Sequence, residues 1–202
     1  MIYSSLIITA AFFLGAVPFG LIIARLTAGI DIRTTGSGNI GATNVARTLG
    51  AKFGVATLVL DLGKGLAPVL AAQAWLGGEG SGWVPAAAGL AAFFGHIHSP
   101  FLGFSGGKGV ATALGVYLGL APFAVVPALA VFLFSVMRWR YVSVGSMSAA
   151  VAAAVATWLL DAPGSTQAAA AVIAVFIILR HGENIGRLTR GEEKRWGSNK
   201  GD

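Results

Sequence analysis

Three polar, glycine-rich segments stand out in this 202-residue chain as places where chemistry could occur. The first reads GSGNIGATNVAR, from Gly36 to Arg47. Glycines such as Gly36 and Gly38 let backbone N–H groups approach an anion closely, and Ser37, Asn39, Thr43 and Asn44 offer further donors. Arg47 can grip a phosphate through two parallel hydrogen bonds. The glycines also match G-x-G-x-x-G, but a dinucleotide site needs a preceding strand and a βαβ unit, and neither is available here. A flexible loop would explain the glycines alone. It would not explain an arginine and two asparagines beside a membrane span, where such groups are costly unless used.

The second segment reads GHIHSPFLGFSGGKGVAT, Gly95 to Thr112. Gly106, Gly107 and Gly109 surround Lys108 and open a helix, so free N–H groups and the positive helix end would meet an incoming anion. Thr112 follows within the same helix start. This is not a Walker A loop, because Leu102 stands at its first glycine and Gly109 at its Ser or Thr. His96 and His98 have no carboxylate or third histidine nearby in the sequence, so they suit the end of a helix better than a metal site. The third segment, HGENIGRLTRGEE, runs from His181 to Glu193. A neutral imidazole at His181 could orient or deprotonate a hydroxyl. Asn184 shares its helical face if the helix continues. Glu183 is placed to orient a partner or pair with Arg187. Arg190, Lys194 and Arg195 read as residues that meet lipid headgroups.

Outside these segments, Asp61 and Lys64 lie one turn apart within an apolar stretch. A buried pair is costly unless its charges meet each other or a ligand, so a structural bridge supporting the site is expected. Ser143 and Ser146 follow Arg138 and Arg140 at the start of another apolar run. They are natural helix caps and candidate phosphate donors.

The elements that must position these groups are membrane helices. Hydrophobic residues make up 55% of the chain and charged residues 11%, against about 25% charged in soluble domains. The 29 glycines suit close helix packing in lipid. Apolar runs at Ile2–Leu26, Phe53–Leu76, Pro122–Met137, Val142–Leu160 and Gln167–Leu179 approach the roughly 20 residues of a span. Trp83–Ile97 and Val110–Ala121 are shorter. The expected architecture is an all-α integral membrane protein of seven transmembrane helices in one domain, residues 1–202, with five helices as the fallback. The run from Met1 to Ala28 lacks a basic start and reads as a retained first helix.

Orientation follows from the basic residues. With the N-terminus outside, the inner side holds Arg25, Arg33, Arg47, Lys52, Lys108, Arg138, Arg140 and Arg180, and the tail adds Arg187, Arg190, Lys194, Arg195 and Lys200. The outer loops hold Glu79 and Asp161 and no basic residue. Lys64 alone lies inside a helix. The positive-inside rule therefore accounts for the net charge of +6 without any nucleic-acid partner, and it puts the C-terminus in the cytoplasm. The tail from Gly191 to Asp202 is polar and is expected to fray. The chain has no cysteine, which excludes disulfides, thiolate metal sites and a cysteine nucleophile.

In order and spacing the three segments resemble the motifs of the bacterial acyl-phosphate:glycerol-3-phosphate acyltransferase family (the PlsY family), over nearly the whole chain. Ser105 and Gly182 depart from it, standing where basic residues are common. The resemblance implies a seven-helix inner-membrane enzyme at the first step of phospholipid synthesis, with its site on the cytoplasmic face. It would move a fatty acyl group from acyl phosphate to the 1-hydroxyl of glycerol 3-phosphate, giving lysophosphatidic acid and phosphate. No cofactor and no metal are expected. The expected partners are the two substrates, membrane lipids and the upstream enzyme that forms acyl phosphate.

The residues fit such chemistry. Phe101, Gly103 and Gly186 stand five positions after His96, His98 and His181, so the common His-x4-Asp acyltransferase motif is absent. There is no G-x-S-x-G. Direct attack of the glycerol hydroxyl on the acyl carbonyl is therefore expected, driven by positioning and charge stabilisation. Ser37, Arg47 and Lys108 would hold phosphate, supported by Gly36, Gly38, Asn39, Thr43, Asn44, Gly106, Gly107, Gly109, Thr112, Ser143 and Glu183. His181 and Asn184 would place the hydroxyl, while Asp61, Lys64 and His96 would support the site. Ser37 as a transient nucleophile is the alternative.

Overall fold

The computed structural model describes residues 2–76 and 82–197. Met1, Glu79 and Lys200, which entered the expectations for the first helix and for sidedness, lie outside the described residues. The described residues are mostly helical, with no strand among them, and the chain divides into two compact units, Met1–Leu120 and Ala121–Asp202.

The first unit opens with α1 (Ile2–Ala16) and α2 (Phe19–Ala28). The sequence reads as one uninterrupted helix here, and the structure breaks it at Val17 and Pro18. Proline has no N–H to donate and disfavours helical backbone in the residue before it. The break frees carbonyls that other elements then use. Lys64 Nζ donates to Val17 O at 2.7 Å, and Ser99 Oγ donates to Ala16 O at 2.7 Å.

A short 3-10 turn at Ile32–Thr34 leads to α3 (Ala42–Leu49), and α4 (Ala51–Leu76) crosses the unit. The last two helices of the unit are α5 (Val84–Ile97) and α6 (Val110–Leu120). Its main helix pairs are α1 with α5, and α4 with α3, α5 and α6. Glycines set how closely these backbones approach. A Cβ added at Gly15 would collide with the Ala92 carbonyl, and one at Gly95 with the Phe12 carbonyl. Across the α4–α6 crossing, Gly65 meets the backbone of Thr112 and Gly115 that of Leu62. Small residues at helix crossings are what lipid-embedded bundles require, since there is no water to expel.

The second unit contains α7 (Pro122–Trp139), α8 (Val142–Leu159), α9 (Gly164–Arg180) and α10 (Gly182–Thr189). Between α7 and α8 the chain turns through Arg140, which adopts the left-handed region with φ of 61°. Helix α10 turns off α9 by 51° at His181, so the last helix does not run straight on.

Four segments are long and apolar enough to cross a membrane: Ile2–Ala28, Ala51–Trp75, Pro122–Trp139 and Val142–Leu159. The α9–α10 pair makes a fifth if it is counted as one bent span. Large apolar side chains such as Trp75, Phe123, Phe134 and Leu159 are exposed, as lipid-facing residues are. The chain is a multi-pass membrane protein.

Candidate active site

The first glycine-rich segment is held by Asn44, the third residue of α3. Its side chain is buried, and its amide nitrogen donates to the carbonyls of Ile32 (3.1 Å), Thr35 (3.0 Å) and Asn39 (2.9 Å). Its Oδ1 accepts from the backbone N–H of Ser37 at 2.8 Å. Asn39 Oδ1 accepts from Gly41 N at 2.8 Å, and Gly38 N donates to Thr35 O at 2.9 Å. The N–H groups of Ser37, Gly38 and Gly41 are thus spent inside the loop. Asn44 and Asn39 organise this segment through these bonds. Gly36 shows why glycine stands where it does: it has φ of 62°, and a Cβ there would collide with Asn44 Oδ1. Ser37 is half-buried, and Thr43 and Arg47 lie on the exposed side of α3.

The second segment is moulded against the last turn of α5. Gly106 N donates to Ile97 O at 3.2 Å and Gly107 N to His96 O at 3.1 Å. These N–H groups are therefore committed within the protein. Lys108 is half-buried between the buried glycines Gly107 and Gly109. Thr112 Oγ1 is fully buried and has no hydrogen-bond partner among the described residues. His96 is buried in the last turn of α5, and His98 is the residue that ends it. Asp61 and Lys64 form the expected bridge at 2.8 Å, with both side chains buried in the first unit. Among the described residues, no cluster of three His, Cys, Asp or Glu side chains could hold a metal ion.

In the second unit, His181 closes α9 and opens α10. Its Nδ1 lies 2.7 Å from the Ile177 carbonyl, and the residue is 2% exposed. A carbonyl only accepts, so Nδ1 carries the hydrogen, and in the neutral ring the basic lone pair is on Nε2. Asn184 is buried on α10, and its Nδ2 donates to Glu193 Oε1 at 2.6 Å.

Glu193 was not singled out in the sequence, yet it gathers this region. Its Oε1 also accepts from Ser143 Oγ at 2.7 Å, and its Oε2 from Arg187 Nε at 2.8 Å. Ser143 therefore does not cap α8. The residue at that cap is Tyr141, which makes no side-chain cap bond. Glu183 is 83% exposed at its side chain and stands 3.8 Å from Arg187, so the close partner of Arg187 is Glu193. The tail does not fray over its described part. Trp196 N donates to Arg140 O at 2.6 Å, and Arg140 Nε donates back to Trp196 O at 3.2 Å. A carboxylate six, nine and fifty positions from the residues it serves leaves no periodic trace, and its neighbours in the charged tail conceal it.

A family model described as glycerol-3-phosphate acyltransferase matches residues 5–191 of the chain. The chain belongs to the glycerol-3-phosphate acyltransferase family. It is an acyltransferase. A relative of that name from Geobacter metallireducens is 53% identical over 196 residues, covering 97% of this chain and 99% of its own. One from Geobacter sulfurreducens is 52% identical over 194 residues, covering 96% and 98%. The fold is similar to the crystal structure of PlsY, an integral membrane glycerol 3-phosphate acyltransferase, in its glycerol 3-phosphate form. The TM-score is 0.91, at 42% identity and 96% coverage of each chain. The lysophosphatidic acid form of PlsY gives a TM-score of 0.89.

For this acyltransferase the Glu193 cluster carries a stability prediction. Burial pushes the Glu193 carboxyl up, but hydrogen bonds from Ser143, Arg187 and Asn184 together outweigh it and hold the group below the ordinary carboxylate range. A carboxylate with a depressed folded-state pKa adds stability above its unfolded pKa and loses it as pH falls through the folded one. Thermal melts of purified protein should therefore drop on acidification below the ordinary carboxylate range, and less so in Glu193→Gln. Glu193→Ala strands Arg187 and Asn184 and should cost about 2–3 kcal/mol. An unchanged melting temperature in that variant contradicts the assignment.

Proposed function

We propose that this acyltransferase moves a fatty acyl group from acyl phosphate to the 1-hydroxyl of glycerol 3-phosphate, releasing lysophosphatidic acid and phosphate. The observation that carries the reading is the likeness, at 42% identity, to PlsY in both its glycerol 3-phosphate and lysophosphatidic acid forms. The donor reading rests on the residues. Two phosphate-bearing substrates account for basic side chains in more than one glycine-rich segment. An acyl phosphate already carries a good leaving group, so no enzyme nucleophile is needed. Residues 1–202 form one catalytic domain in this reading, since the family match runs through both units.

Ser37, Arg47 and Lys108 hold phosphate, with Ser143 and Thr112 in support. His181 takes the hydroxyl proton on Nε2 as the oxygen attacks the acyl carbonyl, and Asn184 places that hydroxyl. The carbonyl–phosphate oxygen bond then breaks, and phosphate leaves with the electron pair. The chain crosses the plasma (inner) membrane of a bacterium seven times, with the N-terminus outside and the site facing the cytoplasm. The upstream acyl-phosphate-forming enzyme is the natural protein partner.

Steady-state kinetics test the roles. Lys108→Ala and Arg47→Ala should each raise KM for one substrate by about tenfold or more, since each removes a charge-assisted bond to phosphate. Unchanged KM for both substrates removes that residue from the phosphate set. Mass spectrometry of protein quenched during turnover should find no acyl group on Ser37. A trapped acyl-Ser37 would replace direct attack with a covalent route. Acyl-CoA and acyl carrier protein thioesters should give no product where acyl phosphate does.

A further inference from the structure

His96 is buried and plays no part in the chemistry above. Its position nevertheless joins two features of the first unit. On one side, its Nδ1 lies 3.8 Å from Asp61 Oδ1, too far for a hydrogen bond but close enough for the carboxylate to flank that edge of the ring. Asp61 is itself fixed by Lys64 at 2.8 Å, and Lys64 Nζ is anchored on the Val17 carbonyl freed by the α1–α2 break. On the other side, His96 shapes the loop that carries Lys108. Its carbonyl accepts the Gly107 N–H at 3.1 Å, and a Cβ added at Gly107 would collide with its Nε2. A Cβ at Gly106 would strike the His96 carbonyl, and one at Gly109 the Phe93 ring one turn earlier.

The loop from Gly106 to Gly109 is therefore cast against one turn of α5, and the imidazole is the part of that mould next to Lys108. Helix α4 brings Asp61 to one edge of the ring, and the backbone of Gly107 lies against the other. We propose that His96 is a positioning residue: held by the Asp61–Lys64 pair, its ring fixes Gly107 and thereby aims Lys108 at phosphate. This rests on the phosphate-holding role of Lys108 given above. It goes further in making Gly107 and His96 a matched pair, each shaped to the other. A displacement of about 1 Å in a positioning element can cost roughly a hundredfold in rate, so the mould matters to activity as well as to folding.

The test is a cycle of His96→Ala, His96→Gln, Gly107→Ala and the double variant His96→Ala/Gly107→Ala. In purified protein, His96→Ala should raise KM for one substrate by about tenfold while kcat stays within about threefold, because binding geometry is lost and the reacting groups are intact. His96→Gln, which returns a polar group near the Nε2 position, should restore KM to within about threefold of the parent. Gly107→Ala alone should be the worst, with kcat/KM down about a hundredfold. Removing the ring makes room for the new methyl, so the double variant should be more active than Gly107→Ala. Effects of the two substitutions that simply multiply would overturn the proposal. So would a His96→Ala protein that melts lower but keeps both KM values. Should Gly107→Ala not fold, the His96→Ala and His96→Gln pair decides alone. If the parent protein makes no product from acyl phosphate, the donor reading fails. Calorimetric titration of the same variants with glycerol 3-phosphate and with inorganic phosphate then decides: about tenfold weaker binding of either in His96→Ala supports the proposal, and unchanged binding of both overturns it.

Discussion

His181→Ala is expected to lower kcat by about 10²- to 10⁴-fold, the usual contribution of a positioned general base, with KM for both substrates within about threefold. The reason is geometric. His181 sits at the 51° bend between α9 and α10, nearly without exposure, and its Nδ1–H is spent on the Ile177 carbonyl at 2.7 Å. That bond selects the tautomer whose basic nitrogen is Nε2, and it locks the ring plane. Alanine removes the proton acceptor and leaves the proposed phosphate-holding groups Ser37, Arg47 and Lys108 in place, so binding should survive. His181→Gln should be nearly as slow, since an amide can donate and accept hydrogen bonds but is a very poor base. Full turnover in either variant takes His181 out of the catalytic set.

The second large effect concerns stability. Lys64→Met should destabilise the protein by about 3–5 kcal/mol, read as a lower melting temperature in detergent or as loss of folded material. The substitution leaves Asp61 buried and without its cation, and it strips one of two donors from the Val17 carbonyl, which keeps the Phe19 N–H at 3.1 Å. Both groups lie in a helical membrane unit where water offers little relief. Breaking one half of a buried pair costs more than removing both, so Asp61→Leu/Lys64→Met should recover much of the loss. The recovery should be partial, because Val17 O still lacks the shorter of its two hydrogen bonds. A double variant no more stable than Lys64→Met would mean that the ion pair is not what Lys64 contributes.

Helix positions were largely legible. Apolar runs from Phe53, Pro122 and Val142 correspond to α4, α7 and α8, and the short runs at 83–97 and 110–121 correspond to α5 and α6. Hydropathy reads such elements because lipid imposes one strong requirement on every residue of a span. The break at Val17 and Pro18 was not read, because the apolar run continues through it without a polar residue. Lys64 and Ser99, which occupy the freed carbonyls, lie far away in sequence.

The motifs were legible as locations but less so as roles. Glycines and asparagines in GSGNIGATNVAR look like anion ligands when only local chemistry is considered. Asn44 instead makes four hydrogen bonds within its own loop, and short α3 exists in part because of them. The glycines of GGKG similarly answer to backbone and ring atoms of α5 rather than to a ligand alone. Glu193 escaped notice for the opposite reason. It sits in a charged tail with no pattern, and only the folded chain brings Ser143, Asn184 and Arg187 to it.

The central claim is the reaction itself. Purified protein given acyl phosphate and radiolabelled glycerol 3-phosphate, with no other acyl donor, should form lysophosphatidic acid and inorganic phosphate in equal amounts. Phosphate released without labelled lysophosphatidic acid, or no product at all from active preparations, would contradict the account.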